Sequence, residues 1–118
     1  MPKIRLKRAY DQATSDDGVR ILVERLWPRG LTKERALIDL WNKEVAPSPE
    51  LRKWFNHDFA RWNEFKSRYR AELDASKDVV DDLRHKCRTE TVTFVYAARD
   101  EKHNSAVILK DYLEKKTS

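Results

Sequence analysis

The chain has 118 residues, with 25 Lys+Arg against 20 Asp+Glu and a formal net charge of +5, and that length makes a single domain, 1–118, the expectation. Charged residues reach 38% and glycines number only two, but four each of Trp, Tyr and Phe supply core material; disorder, collagen and glycine-rich nucleotide loops are thereby excluded. No run approaches the roughly 20 apolar residues of a membrane span, the opening Met-Pro-Lys-Ile-Arg lacks the apolar stretch of a secretory signal, and the lone Cys87 has no partner for a disulfide or metal spacing, so the expectation is a cytoplasmic protein with no membrane partner, no metal and no cofactor.

Residues 3–10 alternate, Ile4, Leu6 and Tyr10 against Lys3, Arg5 and Lys7, as in an edge or near-edge strand. A polar turn from Gln12 to Gly18 follows. The run Val19 to Trp27 predicts a strand buried on both faces and ended by Pro28, which has no N–H for the ladder. Thr32 caps a short helix beginning Lys-Glu-Arg-Ala. Over residues 38–46 a helix and a short strand are equally consistent with the pattern. Ser48 as N-cap with Pro49 behind it starts a helix carrying Leu51, Trp54 and Phe55 that stops near Asn56-His57. Asp58 caps the next, in which Phe59, Trp62, Phe65, Tyr69 and Leu73 recur at intervals of three and four and form an inward stripe. A further helix turns Val79, Val80, Leu83 and Cys87 inward, with Cys87 acting as a small hydrophobe. Thr91 to Ala98 is the clearest central strand, and Asn104 or Ser105 caps a last helix from Ala106 to about Glu114. Helices between strands require parallel pairing. The fold class is α/β, a small three-layer sandwich with a short, mostly parallel sheet and helices on both faces.

Ligands of open parallel sheets bind beyond the C-terminal ends of the strands, and two such ends carry unusual residues. In the first, Glu24 to Gly30, Arg25 interrupts an apolar run, where an unpaired guanidinium is costly. With Glu24 directed the wrong way along the strand, its candidate partners are Asp39, Glu44, Asp100 or a ligand anion. Arg29, between Pro28 and Gly30, can present its fork outward. In the second, Arg99 to Asn104 leads into a helix start, whose free N–H groups favour phosphate or carboxylate. Arg25, Arg29, Arg99 and Asn104 are the candidate anion-binding residues. His103, with Asp100 (or Asp39) as partner, is the candidate for proton transfer. The plain alternative for each is structural: an ion pair for Arg25, a solvated Arg99, a cap at Asn104, and a helix-junction role for His57, which Asp58 could orient. No phosphate loop, zinc motif or serine elbow is present.

Asp-Gly-x-Arg at 17–20, Arg-Leu-Trp-Pro-Arg-Gly at 25–30 and Ala-Pro-Ser-x-Glu-Leu-Arg-Lys-Trp-Phe at 46–55 resemble the DUF488 family in its YeaO-like branch. His57-Asp58, Trp62, Phe65, Arg68-Tyr69, Glu72-Leu73, Tyr96-Ala-Ala and His103-Asn-x-Ala continue the match. The resemblance implies a small bacterial or archaeal cytosolic α/β protein. It also implies that thiol chemistry carried elsewhere in the family by a cysteine near the turn at 97–105 is absent here, because that turn keeps His103 but has no cysteine.

Three functions are weighed. The leading one is binding of a phosphate- or carboxylate-bearing small molecule at the strand ends, with or without action on it. A nucleic-acid-binding or transcription-associated role would use the basic aromatic segment Arg61 to Arg70, although the charges are interspersed rather than blocked and no helix-turn-helix pattern is seen. A protein-interaction module would use an exposed Trp27 or Trp54.

Overall fold

The stretch Val92–Tyr96 is buried at every residue, and the rest of the fold is arranged about it. A computed structural model describes residues 4–115, so Lys3 of the first predicted strand lies outside the described residues. Strands β1 (Ile4–Arg8), β2 (Val19–Leu22), β3 (Leu40–Trp41) and β4 (Val92–Tyr96) form one sheet in the order β1-β4-β2-β3. Every pairing is parallel: Ile4 to Arg8 align with Val92 to Tyr96, Val19 to Leu22 with Val92 to Val95, and Ile21-Leu22 with Leu40-Trp41. The alternating strand is thus an edge, and the apolar one lies inside the sheet.

Five helices complete the described chain: α1 (Lys33–Ala36), α2 (Pro49–Phe55), α3 (Trp62–Ala75), α4 (Lys77–Thr89) and α5 (Ser105–Lys115), with single 3-10 turns at Ser15–Asp17 and Phe59–Arg61. Their starts follow the capping chemistry of the sequence. Thr32 Oγ1 accepts from Arg35 N at 3.2 Å, Ser48 Oγ from Leu51 N at 3.1 Å, Asp58 Oδ1 from Ala60 N at 3.0 Å and Asn104 Oδ1 from Val107 N at 3.0 Å. Each side chain replaces a partner that a first-turn N–H lacks.

The two faces of the sheet are covered unequally. Ile21, Val92, Phe94 and Tyr96 pack into the main core with Phe55, Phe65, Tyr69, Leu83, Leu109 and Leu113 from α2 to α5. On the opposite face Leu22 and Val95 meet Ala9 and are covered by Trp27, Leu31, Ile38 and Trp41. That face also carries Arg20, whose guanidinium donates to the carbonyls closing α1, Ala36 at 2.8 Å and Leu37 at 3.1 Å. One layer therefore holds four helices, and the other is a loop with a one-turn helix. Cys87 is buried, and burial pushes its thiol up to about 11, which leaves it an unreactive hydrophobe.

One expectation is corrected and one open alternative is decided. The strand expected over Val19 to Trp27 ends at Leu22, six residues before Pro28. Val23 N still bonds Val95 O at 3.2 Å, but the Glu24 carbonyl is taken by the Trp41 indole N–H at 2.7 Å, and the chain leaves the sheet there. Arg25 consequently stands beyond the strand end rather than within it. Of the two readings of residues 38–46 the short strand is the one that forms, over Leu40–Trp41 alone, and Asn42 Oδ1 accepts from Val45 N at 3.2 Å where the chain turns away.

Candidate functional site

The segment Val45 to Ser48 is a strap held from three sides. The Tyr69 hydroxyl donates to Val45 O at 2.7 Å; burial, together with the nearby carboxylates of Glu24 and Glu72, pushes that phenol well above its usual range, so it keeps its proton. Arg25 donates through Nε to Pro47 O at 3.2 Å and through Nη2 to Ala46 O at 3.3 Å. Glu72 accepts from Ser48 N at 2.8 Å and from Ser48 Oγ at 2.5 Å. Arg25 therefore answers to carbonyls, not to Asp39, Glu44 or Asp100. Asp39 is engaged elsewhere, accepting from Arg20 N at 2.9 Å.

The strap, the departing end of β2 and the start of α5 enclose a cavity of about 390 Å³ at the C-terminal ends of the strands. Its wall includes Arg25, Arg29, Arg52, His57 and His103, together with Glu24, and its apolar part includes Trp27, Phe55 and Phe65. Tyr10 also lines it and fixes its rim by donating to Arg29 O at 2.8 Å. Trp27 Nε1 closes the Pro28 turn on Leu31 O at 2.5 Å. Two left-handed residues, Asn56 at φ 46° and His57 at φ 54°, end α2 and bring His57 to the wall.

Among the sequence-derived candidates, Arg25, Arg29, His103 and Asn104 line this one cavity. Asn104 is 4% exposed and its amide is committed as the α5 cap, Nδ2 donating to Asp100 O at 2.9 Å. His103 Nδ1 lies 2.9 Å from Asp100 Oδ2, and its ring stands edge-on to Phe59 and Trp62, with centroids 4.5 and 5.1 Å away. The Lys102 and His103 backbone N–H groups, with the His103 ring, hold the Asp100 carboxyl below its ordinary value. Asp100 and the exposed Arg99 are on the adjoining loop, not on the wall. Asp58 does not orient His57: its carboxylate is used by Ala60 N and Arg61.

Glu24 and Arg52 were not singled out by the sequence as ligand contacts, and His57 was read as a helix-junction residue. The strand expected over 19–27 assigned Glu24 to the wrong side, and Arg52 is one turn before Phe55 on a helix whose other charged residues face water. Glu24 stands out electrostatically, because burial raises its carboxyl to about 6 although the Ala97 backbone and Arg52 pull it down. Since the folded value lies above the ordinary 4.5, this group favours the fold fully below pH 4.5, and that contribution is lost as pH rises through about 6. Glu24→Gln, which keeps the acceptor for Ala97, is expected to be more stable than the parent at pH 7.5 by about 2 kcal/mol, a rise of roughly 5–10 °C. Melting curves at pH 4 should show no gain; an equal gain at both pH values would overturn the assignment.

The stripe on α3 is divided between core and surface. Phe65 and Tyr69 are buried, Trp62 is half-buried and Phe59 is exposed, so the first two have no face to offer a stacked base. Trp27 packs edge-on against Trp41 at 5.4 Å, and Trp54 lies beneath the guanidinium groups of Arg61 and Arg68. Among the described residues no group of three or more His, Cys, Asp or Glu is placed to hold a metal, and no helix is long and apolar enough to cross a membrane.

The model of the inactive DUF488-N3 subclade matches residues 3–118. The chain belongs to the DUF488 family. It is 40% identical over 110 residues to the uncharacterized protein YeaO of Escherichia coli K12, covering 93% of this chain and 96% of that one. It is also 40% identical over 111 residues to the uncharacterized proteins Mb3100c of Mycobacterium bovis and Rv3073c of Mycobacterium tuberculosis, covering 94% of this chain and 93% of each. No solved structure matches. The DUF488 motifs of this chain fall into two places. Asp-Gly-x-Arg at 17–20 belongs to the thin face, whereas the motifs at 25–30 and 46–55, with Tyr69, Glu72 and His103, build the strap and the cavity.

Proposed function

We propose that this DUF488-family protein binds a small phosphate- or carboxylate-bearing molecule in the cavity at the C-terminal ends of its parallel strands. The observation that carries the reading is convergence: Arg25, Arg29, Arg52, His57 and His103 come from three stretches of the chain, 25–29, 52–57 and 103, and line one cavity. Arg25 is spent on the strap carbonyls, but Arg29 and Arg52 gathered on one wall repel each other, and a bound anion offsets that repulsion. The N-terminal turn of α5, with Ser105 also on the wall, adds oriented N–H groups and the positive end of the helix dipole. A volume of about 390 Å³ falls within the range of single small-molecule sites.

Binding, without turnover, is the activity proposed. The family description names an inactive subclade, and the turn at 97–105 has no cysteine. Asp100 accepts from Nδ1 of His103, so Nε2 donates to an anion when the ring carries its second proton.

The test is thermal stability against inorganic phosphate, sugar phosphates, nucleotides and small carboxylates, with Arg29→Ala and His103→Ala alongside. A bound compound at about 100 times its Kd adds roughly 2.7 kcal/mol, on the order of 10 °C here. Arg29 is exposed, so Arg29→Ala should melt within about 0.5 kcal/mol of the parent and lose the ligand-induced shift. A flat panel, or a shift that both variants keep, would overturn the reading.

A further inference from the structure

Among the described residues Glu24 is the one carboxylate on the wall of this cationic cavity, and an anion-binding site has no use for it. A negative group in the wall repels the same ligand that the arginines attract. Its backbone is fixed in place. The indole N–H of Trp41 holds the Glu24 carbonyl at 2.7 Å, next to the point where β2 leaves the sheet.

Arg52 acts on Glu24 through its charge, but no contact ion pair consumes the carboxylate. Among the described residues no Lys, Arg or His nitrogen forms an ion pair with it, while seven other acidic residues outside the Asp17 cluster do form such pairs. Arg25, its sequence neighbour, spends Nε and Nη2 on the strap carbonyls. The Ala97 backbone bonds the carboxylate, which leaves most of its acceptor positions open.

We propose that the molecule bound here carries a protonated amine as well as its anionic group, the amine paired with Glu24 and the anion held by Arg29, Arg52 and His103. This inference rests on the binding reading above and narrows it to amino-bearing phosphates or carboxylates. Both charges of such a zwitterion find a partner, and the stacked Phe55 and Phe65 rings, 4.1 Å between centroids, offer an apolar wall beside the ammonium.

Matched probes test it on the full chain: O-phosphoethanolamine against ethyl phosphate, and β-alanine against propionate, with affinities from protein-observed NMR titration. The amine-bearing member of each pair should bind roughly ten- to hundredfold more tightly, as one charge-assisted hydrogen bond predicts. In Glu24→Gln that preference should fall close to one, with ethyl phosphate binding at least as well as to the parent. Equal affinities within each pair, lost together in Arg29→Ala, would overturn this inference and leave anion binding standing. A preference unchanged in Glu24→Gln would also overturn it. No binding by any probe would overturn both. The comparison in the parent protein decides the matter even where a variant folds poorly.

Discussion

Asp17→Asn is expected to destabilise the protein by about 3–5 kcal/mol, the cost of leaving a buried charge without its partner. Asp17 and Arg20 are 3% and 4% exposed, and their ion pair spans 2.7 Å. Asp17 also accepts from Lys7 Nζ at 2.9 Å and from Thr14 N at 3.1 Å, and its carbonyl accepts from Thr93 Oγ1 at 2.7 Å. It thus ties β1, β2 and β4 together, while Arg20 carries the tie on to the end of α1. Burial by itself would raise the Asp17 carboxyl, but the Thr14 backbone, Lys7, the Thr14 hydroxyl and Arg20 outweigh it and hold the group far below the ordinary 3.8. With a depressed folded value, its contribution is present above pH 3.8 and is lost as pH falls below that value. Urea unfolding at pH 7 should show the full loss in Asp17→Asn, and the gap from the parent should narrow as the pH is taken below 3.8. A loss under about 1 kcal/mol would mean that Arg20 is satisfied by the α1 carbonyls and water alone.

Local chemistry was legible in the sequence wherever one residue type decides the outcome. The caps at Thr32, Ser48, Asp58 and Asn104 are fixed by a side-chain oxygen one turn ahead of an apolar pattern, and all four make the expected bond. Val92–Tyr96 was legible because a strand covered on both faces has only one composition. The end of β2 was not legible. Val19 to Trp27 keeps an apolar pattern past Leu22, and only the distant Trp41 side chain, by taking the Glu24 carbonyl, shows that the ladder has stopped. That single misplacement hid the most unusual group on the cavity wall. Periodicity assigned Glu24 to a sheet face, whereas a chain leaving the sheet can turn it inward. Arg20 in the same run is accommodated differently: beside the apolar cluster of the second face, Asp17, Arg20 and Thr93 are buried together as a polar patch.

Gly18→Ala is expected to cost several kcal/mol, comparable to the Asp17 substitution but for an unrelated reason. Gly18 has φ +64° and ψ −136°, a combination that is essentially glycine-only. Space forbids a side chain as well: a Cβ there would stand 2.2 Å from the Thr91 carbonyl oxygen. That oxygen cannot yield, since it accepts from Val19 N at 2.9 Å and sets the register in which Val19 faces Val92. Relief would require β2 to move away from β4 at the start of their pairing, which would take Arg20 from Asp17 with it. Gly30 serves as the control, with the same sign of φ, +77°, but nothing within 4 Å of an added Cβ. Gly30→Ala should therefore lose only the conformational term, on the order of 1 kcal/mol. If hydrogen exchange is compared across the two variants, Gly18→Ala should expose amides of β2 and β4 together, and Gly30→Ala should leave both strands protected. Equal, small effects at the two glycines would show that β2 and β4 can separate at Gly18 without cost, and would remove the thin face from the list of what holds this sheet together.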